Sequence, residues 1–501
     1  MPSSLRRRVK IVCTLGPATQ SIERIGAIID EGMDIARLNF SHGKHSFHAE
    51  QIAKIRKLSA DKKIPIAIMQ DLQGPKLRLG ELPPAGVMVK AGEQLLLYPE
   101  GSEPKNISTK GKTLLPIGAE IALPVSKDVK VGARILFDDG KVATRCIKVS
   151  SPEILVEVEV GGKLSSHKGM NFPGTPLSIP CITEKDYLDL KFGLDNRVDA
   201  IALSFVRSAQ DIEDLRAKIK KTSKYMPLLI SKIEREEAVD AQDSIIEVSD
   251  GLLIARGDMA VELGAERVPV IQKQLIKTCN ALGVPIITAT QMLESMISSP
   301  TPTRAEANDV ANAVFDGTDA VMLSGETASG EYPVEAVQTM SRIILEAERS
   351  IYSNYRLPTE VLPMSGSVVE SIEFSASRIA HHVDAVAIAS LTHSGTAART
   401  LARFRPGTPI VAIMDDEATL RKLCFVWGVR GVMIPEILGT DDLFQMVEST
   451  LVANNWAQAE DLIVVTAGIP TLRRGTTNMV KVHKVGAARD RGKAKKAPRQ
   501  T

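Results

Sequence analysis

Between residues 9 and 350, eight short runs rich in Ile, Val, Leu and Ala recur, each ending in polar or glycine-bearing residues. They are KIVCTLG (10–16), IARLNF (35–40), IAIMQDL (66–72), DAIALSF (199–205), LLISKIE (228–234), GLLIARGD (251–258), PIITATQ (285–291) and AVMLSGE (320–326). Seven of the eight are near-continuously apolar in their first half, as strands buried on both faces should be. Helical patterns separate most of them, at 21–31, 46–60, 209–221, 236–248, 269–282 and 303–315, the last with Thr303 and Glu306 at capping-box spacing. Strand and helix alternating eight times predicts a (β/α)8 barrel, an α/β fold of the TIM-barrel kind.

The alternation is interrupted once. Residues 73–173 instead hold VMVKAGEQLLLYPE, AEIALPV, GARILFDDGKVATRCIKV and EILVEVEVGG, alternating apolar with polar residues around Gly, Pro and Asp. This stretch reads as an inserted all-β, barrel-like lid domain. Without it, 1–72 and 174–350 form the catalytic barrel; 10–72 plus 174–350 amount to about 240 residues, close to the usual barrel length. After 350 the pattern restarts as VDAVAIAS, TPIVAIMD, RGVMIPE, DLIVVTAG and TTNMVKVH, with helices at 396–404 and 442–454, which predicts an open-sheet α/β domain over 351–485.

No apolar run reaches the length of a membrane span, and MPSSLRRRVKIVC has no apolar signal core, so the expected setting is cytoplasmic, without a membrane. The five cysteines lie far apart with no CxxC pair, which suits reduced buried thiols. The net charge of +2 conceals an asymmetry: residues 482–501 carry seven Lys or Arg against one Asp, leaving the remainder mildly acidic. The tail 486–501 reads as a solvated, disordered basic end rather than a nucleic-acid arm.

Barrel enzymes carry their chemistry at the carboxyl ends of the strands. In LLISKIERE, period-two alternation puts Ile230, Lys232 and Glu234 on one face. If that face points into the barrel, two charges are desolvated and need partners or a ligand. The neighbouring ends supply Arg37, Asn39 and Ser41, then Asp71 with Lys76 and Arg78, then Gly257 and Asp258, Thr290, and Ser324 with Glu326. Glu234 and Asp258 are too few for a calcium cage but suit Mg2+, which keeps waters and takes substrate oxygens. Arg37, Arg78 and Lys232 converging on one place point to a phosphoryl group.

The runs RLNFSHG, DLQGPKLR, ISKIE, ARGDMAVE, TATQMLESM, RAEANDVANAVFDGTDAVMLSGETA and GTTNMVKV resemble the pyruvate kinase family, and the resemblance spans about residues 9–485. It implies phosphoryl transfer from phosphoenolpyruvate to ADP, giving pyruvate and ATP. Glu234 and Asp258 would hold Mg2+ (or Mn2+), and the backbone N–H groups of Gly257 and Asp258 the substrate carboxylate. Lys232 and Arg37 would act on the phosphoryl group, Thr290 would line the substrate pocket, and Ser324 and Glu326 would border proton delivery. Arg78, His42 and Lys168 match positions near the nucleotide phosphates. No Walker A loop is present, since NISTKGKT has Asn106 where its first glycine belongs.

Three further expectations follow from the resemblance. Thr392, Ser394, Gly395 and Thr396 offer hydroxyls and N–H groups at a helix start, where the family binds a phosphorylated allosteric effector. A homotetramer is implied. Potassium-dependent members hold K+ near Asn39, Ser41 and Asp71, with a threonine after the aspartate and a glutamate five places on; here Leu72 and Lys76 stand instead. Lys76 is therefore expected to substitute its own charge, making K+ unnecessary. The competing readings are another phosphoenolpyruvate- or pyruvate-binding metal-dependent barrel enzyme, and a catalytically silent effector-binding protein.

Overall fold

The computed structural model describes residues 7–353, 365–434, 440–469 and 477–486, so the predicted basic tail lies outside the described residues from 487 on. Eight parallel strands close into a barrel: Lys10–Thr14, Ile35–Asn39, Ala67–Asp71, Ala200–Leu203, Leu228–Ile233, Gly251–Ala255, Ile286–Ala289 and Ala320–Leu323, with the first paired to both the second and the eighth. Both faces are apolar for different reasons. Val12, Ile35, Met69, Ala202, Ile230 and Leu253 fill the interior, while Ile11, Leu38, Ile68, Leu229, Ile254 and Val321 pack outward against the helices.

One aspartate stands immediately before every second strand. Asp34, Asp199, Asp250 and Asp319 each accept the backbone N–H of the preceding strand, from Ile11, Ile68, Leu229 and Ile286, at 2.8–3.0 Å. A four-fold staple thus ties the strands in pairs at the barrel floor. Three of these carboxylates also receive an arginine from the C-terminal domain: Arg430 to Asp34 at 2.8 Å, Arg421 to Asp199 at 2.8 Å and Arg405 to Asp319 at 3.2 Å. Cys424 and Phe425 enter the interior cluster from below and plug it. Beside them Lys10 Nζ donates to Val429 O at 2.6 Å, and burial together with Arg430 brings its pKa down to about 7.

Residues 87–171 form a six-stranded and a two-stranded sheet around their own core of Leu95, Leu97, Ile135, Phe137, Val156 and Met170. The expectation of an insertion made only of strands needs correction. AEIALPV lies in an α-helix, Ala119–Asp128, because Ala122, Val125 and Ser126 bury at helical rather than alternating spacing. The pattern at 236–248 likewise divides into two helices, Glu236–Asp240 and Gln242–Val248.

The C-terminal domain is a five-stranded sheet in which Ala387–Leu391 is central and the last strand, Thr477–Lys484, runs antiparallel. Helices cover both faces, with separate apolar clusters on each. All five cysteines are buried and unpaired. Among the described residues no helix is long and apolar enough to cross a membrane.

Candidate active site at the carboxyl ends of the barrel strands

The fifth strand alternates as its sequence demands. Ile230 packs inside the barrel, and two residues on Lys232 enters the mouth with its side chain 12% exposed. Its Nζ lies 3.0 Å from Glu234 Oε1 and 3.3 Å from Asp71 Oδ1, and donates to Ser204 Oγ at 2.7 Å. Arg37 closes the chain of charges: Nε donates to Asp71 Oδ2 at 2.7 Å and Nη1 to Thr14 Oγ1 at 3.0 Å. Burial would strip Lys232 of its proton, but the carboxylates of Asp71 and Glu234 outweigh it and hold the ammonium above its ordinary range. Burial likewise works against the Asp71 charge, and Lys232 and Arg37 prevail, so that carboxylate stays ionised.

Glu234 behaves oppositely. Burial pushes its carboxyl up, Lys232 resists, and Asp258 adds to the push. Its Oε2 accepts the N–H of Phe205 at 2.7 Å, a residue held at φ 57°. A carboxyl whose charge is disfavoured by burial and by a second carboxylate is a place where a cation would bind favourably. Among the described residues no group of three His, Cys, Asp or Glu is set for metal binding; Glu234 and Asp258 could together hold an ion that keeps water and substrate ligands.

The ends of strands six and seven meet through Arg256, the arginine of the ARGDMAVE run. Strand six stops at Ala255, and Gly257 and Asp258 lie in the first turn of a helix, Arg256–Leu263, rather than on the strand itself. Thr290 follows strand seven with φ 71° and Gln291 with φ 55°. Arg256 Nη2 donates to Thr290 O at 2.6 Å and Nε to Ala289 O at 3.1 Å, while Nη1 and Nη2 take the Asp309 carboxylate at 2.8 Å each. The Gly257 N–H donates to Thr290 Oγ1 at 2.9 Å. Across strand eight, Glu326 accepts from Ser324 N at 2.7 Å and Leu293 N at 3.1 Å, so both its oxygens hold backbone.

The insertion forms the opposite wall. A cleft runs between Lys76, Asn171 and the barrel residues Phe205, Arg207, Asp258 and Glu262. Asn171 Nδ2 reaches Glu262 Oε1 at 3.2 Å, joining the insertion to the helix that carries Asp258. Arg78 donates to His167 O at 2.9 Å, and Lys168 pairs with Asp138 at 2.8 Å. His42 is exposed, and its pKa is lowered by partial burial and by the nearby charges of Lys76, Arg78 and Arg37. Asn39 Oδ1 accepts the Ser41 N–H at 3.1 Å. Leu72 is buried with its carbonyl bonded to Ser204 Oγ, whereas Lys76 is exposed at the mouth.

Ser204 and Thr14 went unremarked in the sequence. Each is a hydroxyl at or just past a strand end, the same position that singled out Thr290 and Ser324, and that position alone could have found them.

In the C-terminal domain, Gly395 precedes the helix Thr396–Arg403, and its N–H donates to Thr392 Oγ1 at 3.0 Å. Ser394 and Thr396 are exposed, with their hydroxyls 3.0 Å apart. Gly395 has φ 75°, and a Cβ there would meet Leu423 at 3.0 Å, so the loop requires glycine on both counts.

Comparison with known proteins places these features in context. The chain matches the family profile described as pyruvate kinase, barrel domain, over residues 6–337, and that described as pyruvate kinase, alpha/beta domain, over 370–483. It is 42% identical over 483 residues to the pyruvate kinase of Geobacillus stearothermophilus, covering 96% of this chain and 80% of the relative. It is 44% identical over 494 residues to pyruvate kinase 2 of a Synechocystis strain, covering 98% and 81%. The crystal structure of a pyruvate kinase from Cryptosporidium parvum superposes with a TM-score of 0.86 at 34% identity, over 97% of this chain and 98% of that one.

Proposed function

The chain belongs to the pyruvate kinase family, and from that premise we propose how its residues divide the work of moving a phosphoryl group from phosphoenolpyruvate to ADP, the last step of glycolysis, giving pyruvate and ATP. Glu234 and Asp258 hold a divalent ion, Mg2+ or Mn2+, whose charge offsets that of the substrate oxygens. Lys232, kept cationic by Asp71 and Glu234, faces the phosphoryl group in transit and the enolate oxygen left behind. Arg37 supports it from the other side of Asp71.

The substrate carboxylate is received by the first-turn N–H groups of Gly257 and Asp258, which a helix start leaves without intrahelical partners. Its arrival displaces Thr290 Oγ1 from the Gly257 N–H and leaves that hydroxyl to bond the carboxylate instead. Ser324 and Glu326 border the path of the proton to the enolate, Glu326 by shaping the turn. Arg78, His42 and Lys168 serve the nucleotide phosphates, with Lys168 leaving Asp138 to do so. Residues 1–72 and 174–350 act as the catalytic barrel, 73–173 as the lid and 351–485 as the effector domain of a cytoplasmic homotetramer.

One observation carries this reading. Two cations and two carboxylates converge, nearly buried, at the open end of a barrel, an arrangement that is costly unless it serves an anion and a metal together. The test is a coupled assay in which ADP, phosphoenolpyruvate and Mg2+ release pyruvate; a folded protein that releases none would overturn it. The loop Thr392–Thr396 takes a phosphorylated effector, and a Thr396→Glu variant should lose activation by sugar phosphates or nucleoside monophosphates while keeping its basal rate. Undiminished activation would remove that site.

A further inference from the structure

A β-branched residue at positive φ is a genuine backbone outlier, and Thr290 at 71° is followed by Gln291 at 55°. Such a residue persists only where its surroundings over-determine it. Here the Thr290 hydroxyl takes the Gly257 N–H at 2.9 Å and donates to Ala289 O at 2.6 Å, and the backbone carbonyls are held by one guanidinium. Arg256, with a side chain 12% exposed, gives hydrogen bonds to both carbonyls that bracket the outlier, Ala289 O and Thr290 O, and is itself fixed by a two-pronged bond to Asp309. Two further acceptors are Met292 Sδ, 2.8 Å from Nη2, and Gln272 Oε1, 3.4 Å from Nη1. Arg256 also opens the helix whose next two residues are Gly257 and Asp258.

The geometry points to Arg256 as a positioning residue of the phosphoryl transfer, clamping the strained Thr290 turn against the helix start that presents Gly257 and Asp258. The inference rests on the assignment of Thr290, Gly257 and Asp258 to the carboxylate pocket. Arg256 touches no reacting atom. Its planar fork reaches two carbonyls and a carboxylate at fixed angles, which a lysine ammonium on a flexible stem does not reproduce. Without the fork the turn relaxes to negative φ and Thr290 Oγ1 swings out of the pocket, so that it no longer reaches a carboxylate held at the Gly257 and Asp258 N–H groups.

The test is a double-mutant cycle of Arg256→Lys with Thr290→Gly, in which glycine adopts positive φ without strain. In the parent background Arg256→Lys should lower kcat/KM for phosphoenolpyruvate by about 10²-fold, as expected for a misplacement near 1 Å. The KM for ADP and the affinity of the free protein for Mn2+, followed by electron paramagnetic resonance, should stay within about threefold. A merely structural arginine would instead lower the active fraction and leave every KM unchanged.

In the Thr290→Gly background the same change should cost little, because no strained turn remains to be held. Equal losses in both backgrounds would overturn the inference, as would a silent Arg256→Lys beside an impaired Thr290→Gly. If Thr290→Gly itself leaves the KM for phosphoenolpyruvate untouched, the pocket assignment fails instead. Should Arg256→Lys fail to fold, Asp309→Asn, which weakens the anchor but keeps the arginine, should show the same selective fall in kcat/KM for phosphoenolpyruvate. Its absence would count equally against the clamp.

Discussion

Replacing Lys232 by methionine isolates one charge at the centre of the site. The side chain lies within 3.3 Å of two carboxylates and donates to Ser204 Oγ. Removing it leaves Asp71 still paired with Arg37 at 2.7 Å, and leaves Glu234 with the Phe205 N–H but no cation. Orphaning a buried charge costs about 3–5 kcal/mol. Glu234 escapes most of that by taking up a proton, since burial and Asp258 already push its carboxyl up. The stability loss should therefore be only about 1–2 kcal/mol, below that range.

The catalytic loss should be larger. A preorganised donor aimed at developing charge contributes about 10²–10³ in kcat. A full charge in a largely desolvated mouth belongs at or beyond the upper end, so kcat should fall by about 10³-fold or more. Pyruvate release coupled to lactate dehydrogenase would measure it, with urea unfolding as the control for folding. Mn2+ binding near neutral pH should change little, because the ion loses a repelling charge 3.0 Å from Glu234 but must displace the proton that Glu234 takes up. A variant with cooperative unfolding and a kcat within about threefold of the parent would refute the role of this charge and the electrostatic reasoning behind it.

Three other outcomes are expected. Burial raises the carboxyl of Glu373 from 4.5 to about 8, with Thr466 offsetting it only in part and neither oxygen making a well-aligned hydrogen bond. Its stabilising contribution is complete below pH 4.5 and is lost as pH rises towards 8, so Glu373→Gln should flatten the decline in urea stability between pH 5 and 8; parallel profiles would refute this. Activity with Mg2+ should be nearly equal with and without K+ at constant ionic strength, and Lys76→Glu should introduce a K+ requirement; strong stimulation of the parent by K+ would show that the lysine does not replace the ion. Asp199→Asn leaves Arg56 and Arg421 short of a buried counter-charge and should cost about 3–5 kcal/mol, whereas Asp250→Asn, facing only the partly exposed Arg216, should cost about 1 kcal/mol or less; equal costs in denaturant titrations would mean the floor aspartates act as strand staples alone.

What could be read in advance was what depends on near neighbours. Period two along LLISKIE suffices to put Lys232 and Glu234 on one face, and eight apolar runs suffice for a closed barrel. What could not be read depends on partners far along the chain. Arg256 is intelligible only beside Thr290 and Asp309, 34 and 53 residues away, and a left-handed threonine has no signature in composition. The helix at Ala119–Asp128 was misread because a short stretch of mixed apolar and polar residues fits either period.

The barrel floor lies between these cases. MDIARLN, VDAIALS, SDGLLIA and TDAVMLS repeat an aspartate directly before every second strand, and that repeat is visible without coordinates. Its meaning is not, because an aspartate before a strand would ordinarily be a solvated turn residue. Only parallel pairing brings each carboxylate within reach of a backbone N–H of the preceding strand, and only the C-terminal domain supplies Arg405, Arg421 and Arg430 from 86, 222 and 396 residues away. All four aspartates therefore serve the barrel, and three of them, Asp34, Asp199 and Asp319, serve the domain interface as well. A charge change at three of them must be felt on both sides of the floor, while at Asp250 it remains within the barrel.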